Sequence, residues 1–299
     1  MRRFKTGCEV RRAIKRAKRP RPYDARRFLS RGSMREDVLK QLDRVRSVLD
    51  QHPRGIASDV DGTISEIAPS PEAALVSATM KGHLCSLTKR FDLVAAISGR
   101  SVKDARRLVG VDGLVYFGNH GLEWWADGRS HIPRGVELYT YIVRSALDQM
   151  RGRLDAVGAV IENKGATAAI HYRQSRDAQS AREDILEAIR TSPLAAPLRV
   201  VEGKMVIELR PPLPLHKGIA LASLVHRYGL RSLIYLGDDT TDVDAFSELR
   251  KLRADGRIEG LSIAVVGPET PAEVVEHADA TLQGVRGVET FLRWLTGDE

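Results

Sequence analysis

Two spacings of apolar residues divide the chain into short strands and longer helices. Continuous apolar runs of four to six residues favour buried strands, and apolar positions that recur every three or four residues favour helices. Strands alternate with helices in the first and last thirds of the chain, which predicts a parallel sheet with helical crossovers. The strands predicted there are 55–58, 92–97, 114–117, 232–236 and 261–266, and the helices are 35–49, 72–90, 102–108, 217–228, one from residue 242, and 284–295.

The middle of the chain has a different order of elements. Four predicted strands, 159–161, 167–172, 198–201 and 205–209, accompany two predicted helices, 135–153 and 177–190, which suits a small α+β layer. We therefore predict an α/β protein with three parts. Residues 1–34 form a basic extension that we expect to be disordered, 35–128 and 213–299 form the parallel-sheet core, and 129–212 form an α+β cap domain.

Composition excludes several classes of protein. Apolar residues make up 42% of the 299 residues, yet no window reaches the roughly 18 apolar residues that span a bilayer. The N-terminus lacks the apolar core of a secretory signal. Cys8 and Cys85 stand alone, which argues against a disulfide scaffold or a zinc site and fits a reducing compartment. We expect a cytoplasmic protein with no membrane partner.

The positive net charge belongs to the N-terminal segment. The whole chain carries +8, but residues 1–35 hold 14 of the 47 Lys and Arg and two of the 39 acids, so the remainder is at −4. Such a segment suits an arm for nucleic acid or an anionic surface. It also suits a disordered extension, or residues upstream of a true start at Met34. We favour the second interpretation because the segment has few aromatic and apolar residues, and we expect no nucleic-acid partner.

Four short polar runs form one chemical constellation. They are 59–63 (DVDGT), 98–100 (SGR), 216–218 (HKG) and 237–242 (GDDTTD). Three of them follow predicted strands, and ligands of parallel sheets bind at the carboxyl ends of the strands. Together the runs indicate phosphoryl transfer through an aspartate.

Each run supplies one component of that chemistry. Asp59 and Asp61 lie on the same side of an extended chain, so one carboxylate can attack phosphorus while the other holds a proton. Ser98 can donate a hydrogen bond to phosphate, and Lys217 can neutralise it. Each run alone also has an ordinary structural explanation: an Asx-turn for the aspartates, a helix N-cap for Ser98 and a solvated lysine for Lys217.

Three carboxylates follow the predicted strand 232–236 within five residues. A cluster of carboxylates without His or Cys selects a hard cation, which beside a phosphate is usually Mg²⁺. The alternative is a helix with acidic residues near its N-terminus. The carboxylates are Asp238, Asp239 and Asp242.

With all four runs, residues 55–299 resemble the haloacid dehalogenase superfamily of phosphohydrolases. The resemblance implies that Asp59 is the nucleophile, that Asp61 is the general acid and base, and that Ser98 and Lys217 bind the phosphoryl group. An aspartyl-phosphate would form and then be hydrolysed. The implied Mg²⁺ site consists of Asp59, the Val60 carbonyl and Asp238, with Asp242 as ligand or support, and with Asp239 and Asp61 (through its backbone or a supporting contact) as further candidates.

The distances between the runs locate the cap in the sequence. Only 34 residues separate Thr63 from Ser98, whereas 118 separate Ser98 from Lys217. The second interval holds the α+β layer, so a cap would follow the second motif and cover the site.

The cap sequence resembles that of trehalose-6-phosphate phosphatases. The similar stretches are 118–123, 162–164, 171–173, 203–211 and 237–246. Polar side chains in them suit the hydroxyls of a disaccharide, although a solvated sheet face explains Lys164, Arg173 and Lys204 as well, and a core position explains His171. The candidate substrate-binding residues are Arg100, Asn119, His120, Lys164, Arg173, Lys204 and Glu208.

We therefore expect a monomeric, Mg²⁺-dependent phosphatase that acts on a small sugar phosphate, with trehalose 6-phosphate as the first choice. A first alternative is a phosphatase of the same superfamily that acts on glucosylglycerol phosphate, mannosylglycerate phosphate or sucrose phosphate. A second alternative, from a different class, is a nucleic-acid-binding regulator that uses the basic arm.

Overall fold

A computed structural model describes residues 35–68, 71–203, 205–214 and 216–297. The expectations for residues 1–34 and for Lys204 lie outside this part of the chain. The strands are β1 Arg54–Ser58, β2 Leu93–Ile97, β3 Val115–Gly118, β4 Glu123–Ala126, β5 Arg129–His131, β6 Val160–Asn163, β7 Ala168–His171, β8 Arg199–Gly203, β9 Val206–Arg210, β10 Ser232–Gly237, β11 Glu259–Val266 and β12 Ala280–Gln283. The α-helices are α1 Leu42–Leu49, α2 Ala78–Leu87, α3 Val102–Val109, α4 Val136–Ala156, α5 Ala178–Thr191, α6 Lys217–Tyr228, α7 Thr240–Ala254, α8 Ala272–His277 and α9 Gly284–Thr296.

Eight strands form one large sheet in the order β12-β11-β10-β1-β2-β3-β4-β5. The six strands from β12 to β3 are parallel, and β4 and β5 add an antiparallel edge. Strand β1 is central: its last residue, Ser58, is in register with Leu236 of β10 and Ala96 of β2. The carboxyl ends of these three strands therefore open at one edge of the sheet.

Alternate residues of the central strands supply two cores, one on each face of the sheet. Ile56 and Leu236 belong to the core that buries side chains of α1, α2 and α9. Ala57 and Tyr235 belong to the opposite core, with α6 and α7. Buried strands covered on both faces are typical of parallel α/β sheets, and they explain why these segments are almost continuously apolar in the sequence.

The second sheet has four antiparallel strands in the order β6-β7-β9-β8. Its apolar face packs against α4 and α5, and Ile170, Ile207 and Leu209 are buried there. Because side chains alternate along a strand, Glu208 and Arg210 of β9 project from the opposite face. That polar face contributes side chains to the site described below.

Several elements differ from the sequence predictions. The helix predicted at 72–90 begins only at Ala78, because Ser77 is its N-cap and accepts a hydrogen bond from the Met80 amide. Strands β4 and β5 were not predicted, although Asp127 and Gly128 between them have φ of 52° and 74°, as an Asp-Gly hairpin turn requires. The large sheet thus continues to His131, beyond the expected boundary at residue 128.

Among the described residues no helix is both long enough and apolar enough to cross a bilayer.

Candidate active site

Asp59 and Lys217 form a buried ion pair at the carboxyl end of β1. The Asp59 amide donates to the Leu236 carbonyl at 2.8 Å, so the end of β10 fixes this residue. Lys217, the first residue of α6, is only 2% exposed, and its Nζ lies 2.9 Å from Asp59 Oδ1 and 2.8 Å from Asp242 Oδ1. Burial opposes the charge of Lys217, but the neighbouring carboxylates raise the pKa of its ammonium above the usual value. A buried cation therefore faces a buried carboxylate here.

Three carboxylates, those of Asp59, Asp238 and Asp242, could hold a metal ion, and we call them the acidic set. One oxygen of each lies within 4.8 Å of the others, and all three residues are buried. Thr63 fixes Asp238, because its hydroxyl donates to Asp238 Oδ1 at 3.0 Å. A set of oxygen donors with no His or Cys among them fits a hard divalent cation.

Asp242 also organises the loop that carries Asp238. Its Oδ1 accepts a hydrogen bond from the Tyr235 hydroxyl at 2.6 Å in addition to that of Lys217. Its Oδ2 accepts from the backbone amides of Asp238 and Asp239 at 3.0 and 3.1 Å. Both oxygens thus have protein donors, which suits a supporting position in the acidic set.

Asp239 lies outside the acidic set and caps helix α7. Its Oδ1 accepts from the amides of Thr241 and Asp242, the arrangement of a capping box. The sequence analysis gave an acidic helix N-terminus as the alternative to a metal site for this cluster. Asp239 has that structural position.

Asp61 is two residues beyond Asp59 and forms an ion pair with Arg100. The guanidinium donates through Nε and Nη2 to the two carboxylate oxygens, both at 2.7 Å. Gly62 then turns the chain with φ of +86°. The carbonyl of Val60, expected as a metal ligand, accepts hydrogen bonds from the amides of Ile64 and Ser65. It is thus part of this turn.

Ser98 directly follows β2 and lines the same cavity as Lys217 and Asp59. It is 1% exposed, and its hydroxyl accepts a hydrogen bond from the Arg100 amide at 3.1 Å. The helix N-cap that the sequence offered as an alternative for Ser98 is formed instead by Ser101, which accepts from the Asp104 amide. Ser98 therefore begins the turn 98–100 and does not cap the helix.

Side chains from both sheets surround a cavity of about 280 Å³ at this edge. A larger cavity, about 740 Å³, lies between α1 and α9 and is lined by none of the motif residues. The lining of the smaller cavity is Asp59, Asp61, Ser98, Gly99, Arg100, His120, Glu162, Lys164, His171, Glu208, Lys217, Asp239 and Thr241.

Most of the residues expected to bind substrate are among those lining residues, but two of the described ones are not. Asn119 is buried outside the lining, and Arg173 is exposed away from it. Lys204 is not described. The expected residues Arg100, His120, Lys164 and Glu208 do line the cavity.

Glu162, His171 and Arg210 were not expected at the site. Glu162 Oε2 lies 3.1 Å from His171 Nε2 and 3.5 Å from Lys164 Nζ. Arg210 pairs with Glu208, and its Nη2 is 3.1 Å from His120 Nε2. Alternation along β9 could have indicated Arg210, since it lies two residues beyond Glu208 on the same face.

His120 is a neutral ring. Burial, with the positive charges of Arg210, Lys217 and Lys164, lowers its pKa to about 3. The imidazole can therefore accept the Arg210 hydrogen bond.

Comparison with known proteins identifies the family. The family model for trehalose-phosphatase matches residues 57–277. This chain belongs to the trehalose-phosphatase family. The match includes all four motif runs, and the resemblance inferred from the sequence is thus confirmed.

The curated relatives match this chain over only part of their own length. A trehalose-phosphate phosphatase of Mycolicibacterium paratuberculosis is 36% identical over 222 residues, which are 72% of this chain and 55% of that protein. One of Mycobacterium tuberculosis is 33% identical over 256 residues, 83% of this chain and 60% of that protein. An uncharacterised glycosyl hydrolase of M. tuberculosis is 36% identical over 72% of this chain but only 17% of its own length. The chain thus spans between about a sixth and three fifths of these relatives.

Solved structures establish the fold. The C-terminal domain of a Candida albicans trehalose-6-phosphate phosphatase superposes with a TM-score of 0.68 at 22% identity, over 89% of this chain and 99% of that one. A haloacid dehalogenase-like hydrolase of Bacteroides thetaiotaomicron superposes with a TM-score of 0.56 at 14% identity, over 81% and 99%. The prediction of an α/β, haloacid dehalogenase-like fold with a parallel core is confirmed.

Proposed function

We propose that this chain hydrolyses trehalose 6-phosphate to trehalose and inorganic phosphate with the help of Mg²⁺. The observation that carries the proposal is the buried ion pair of Asp59 and Lys217 beside the carboxylate of Asp238, in a cavity that opens between the two sheets. Membership in the trehalose-phosphatase family and the names of the curated relatives support this choice of substrate.

The first chemical step would use Asp59 as the nucleophile. A carboxylate oxygen of Asp59 forms a bond to phosphorus while the bond from phosphorus to the sugar oxygen breaks. Asp61 gives its proton to the departing oxygen, and an aspartyl-phosphate remains. Lys217 Nζ is close enough to Asp59 to offset the repulsion between that carboxylate and the phosphate.

The second step would release the phosphate. Asp61 takes a proton from water, and the water oxygen displaces Asp59 from phosphorus. Arg100 donates to both carboxylate oxygens of Asp61 and so holds this side chain in place beside Asp59. Ser98 and the Gly99 turn would hold the phosphoryl oxygens during both steps.

The acidic set would hold the cation. Asp59 and Asp238 offer direct oxygen ligands, Asp242 supports them, and hard oxygen donors of this kind fit Mg²⁺. When bound, Mg²⁺ would neutralise charge on the phosphoryl group. Asp239 is less suited to a ligand role, because its Oδ1 caps α7.

The four-stranded layer would act as the cap that selects the sugar. Its polar face supplies Glu162, Lys164, His171 and Glu208 to the cavity, and these groups can donate to or accept from hydroxyls. Substrate contacts by Arg173 and Lys204, a monomeric state, a cytoplasmic location and the absence of a nucleic-acid partner stay predictions.

Phosphate release by the purified protein tests the proposal. The substrates would be trehalose 6-phosphate, sucrose 6-phosphate, glucose 6-phosphate and glucosylglycerol phosphate, each with Mg²⁺ and with EDTA. We expect a strong preference for trehalose 6-phosphate that EDTA abolishes. Preference for another glycoside phosphate would keep the chemistry and refute the substrate, and no turnover of any would refute both.

A paired substitution tests the nucleophile. Asp59→Asn should abolish turnover, since an amide oxygen cannot take the place of the attacking carboxylate. Asp148→Asn, at an exposed position of α4, is the matched control and should leave turnover unchanged. Retained activity in Asp59→Asn would exclude Asp59 as the nucleophile.

A further inference from the structure

Asn119 connects the end of the central sheet to the turn between β6 and β7. It follows β3, is 3% exposed, and adopts a left-handed backbone with φ of 51°, which Asn tolerates better than most residues. Its Nδ2 donates to the Lys164 carbonyl at 3.0 Å, and its Oδ1 accepts from the Thr167 hydroxyl at 2.7 Å. The side chain therefore holds both ends of the turn 164–167.

The Asn119 side chain is also hydrogen-bonded to the core of the protein. Asn119 Nδ2 also donates to Glu123 Oε1 at 2.9 Å, and the same oxygen accepts from the Val102 amide at the start of α3. Both amide hydrogens and the carbonyl oxygen of the side chain are thus used within the protein. This arrangement leaves Asn119 poorly suited to the substrate contact that the sequence suggested.

Lys164 is the residue that these hydrogen bonds place at the cavity. Its amide donates to the Thr167 carbonyl at 3.0 Å, which closes the turn. Its side chain is 13% exposed, and Nζ lies 3.5 Å from both the Gly99 carbonyl and Glu162 Oε2. The Lys164 ammonium, in the turn between β6 and β7, thereby reaches the turn of Ser98 and Gly99, where an anion would bind.

We propose that Asn119 is a positioning residue that acts through Lys164: it docks the 164–167 turn on the core and so sets the ammonium beside the phosphate-binding turn. This inference rests on the proposed function, because it takes the Ser98 turn as the phosphate site. Asn119 itself touches no reacting atom.

The central test compares Asn119→Gly with Lys164→Met and with the double variant. Glycine removes the side chain and still tolerates the positive φ. A charged hydrogen bond to phosphate typically corresponds to a factor of about ten to a hundred in affinity. We expect each single variant to raise KM and the inhibition constant of inorganic phosphate by about tenfold, with a smaller fall in kcat. The double variant should be no worse than the worse single variant.

The inference would be overturned if the factors by which the two single variants raise KM multiplied in the double variant, because residues that act independently behave in that way. So would an unchanged phosphate inhibition constant in Asn119→Gly. Thr167→Ser should keep wild-type values, whereas Thr167→Val should lose part of the affinity, since only the first keeps the hydroxyl. Thr290→Val is the control, because that hydroxyl donates to the Arg286 carbonyl of its own helix and Thr290 is not among the residues that line the cavity.

Two further readouts separate this inference from the proposed function. p-Nitrophenyl phosphate as substrate reports the phosphate site whatever the natural sugar is. Hydrogen exchange of the amides at 165–168 reports docking without any catalysis, and it should be faster in Asn119→Gly than in Thr290→Val. If the wild type hydrolyses no phosphate ester, the proposed function fails, and unchanged exchange at 165–168 would then overturn the docking role as well.

Discussion

Gly62 offers a sharp test of how the acidic set is held together. The residue turns the chain directly after Asp61, with φ of +86°. A Cβ at this position would lie 2.0 Å from Asp238 Oδ2 and 2.4 Å from its Cγ, whereas real Cβ contacts essentially never fall below 3.0 Å. In Gly62→Ala the Asp238 carboxylate must therefore move by about 1 Å, the difference between these distances.

That movement has a cost in function as well as in stability. Asp238 is buried and accepts a hydrogen bond from the Thr63 hydroxyl, so its movement would disturb that hydrogen bond and the packing around it. A displacement of about 1 Å at a catalytic group can lower a rate by a factor of the order of 100. The left-handed backbone adds about 1 to 3 kcal/mol of strain for any residue with a Cβ.

Gly128→Ala is the matched control for that strain. Gly128 has φ of +74°, similar to that of Gly62, but a Cβ there meets nothing within 4 Å. Both variants should lose about the same backbone contribution to stability. Only Gly62→Ala should also weaken metal binding and lower kcat by about a hundredfold.

The assay measures Mg²⁺ affinity by calorimetry, kcat by phosphate release and the free energy of unfolding in urea, for the three proteins in parallel. Equal kcat and equal Mg²⁺ affinity in Gly62→Ala and Gly128→Ala would refute the reasoning. In that case the backbone strain alone would account for the change, and Asp238 would not be fixed by this turn.

Two other predictions concern the same carboxylates. Tyr235→Phe removes the buried hydroxyl that donates to Asp242, so we expect the free energy of unfolding, measured by urea titration, to fall by about 1 kcal/mol. Tyr228→Phe, at a half-exposed position, is the control and should show no loss. Equal stabilities of the two variants would contradict the role of this hydrogen bond. Burial, with the charges of Asp242 and Asp239, raises the pKa of Asp238 to about 7, and protons should therefore compete with the cation below that pH. Mg²⁺ affinity should therefore rise from pH 6 to pH 8, and binding should release protons. Calorimetry at both pH values, in two buffers of different ionisation enthalpy, measures the affinity and the number of protons released, and an affinity that does not change with pH would contradict the prediction.

Three of the four motif runs could be placed together from the sequence because each of the three follows the end of a strand. Asp59, Ser98 and Asp238 follow apolar runs, and the carboxyl ends of parallel strands meet at one edge. Their proximity therefore follows from the topology, without knowledge of any side-chain contact.

The contacts of the second sheet could not be predicted in the same way. Glu162 and His171 meet across the β6–β7 hairpin and line the cavity, and the turn 164–167 of the same hairpin is hydrogen-bonded to Asn119 of the core. That docking depends on how two separate layers face each other, which periodicity along one strand does not specify. For the same reason the sequence suggested Asn119 as a substrate ligand, although its side chain is used inside the protein.

The charge of the site favours function at the expense of stability. Four carboxylates, those of Asp59, Asp238, Asp239 and Asp242, surround the single ammonium of Lys217. Burial raises the pKa of Asp59 well above its usual range, and burial and like charge raise that of Asp242 to about 6, so the folded protein holds these groups against their preference for water. An arrangement chosen for stability alone would replace such charges with apolar side chains. A divalent cation would relieve the repulsion while leaving Lys217 to face the phosphate. The excess of carboxylates around the buried ion pair of Asp59 and Lys217 therefore supports the proposal of a metal-assisted phosphatase.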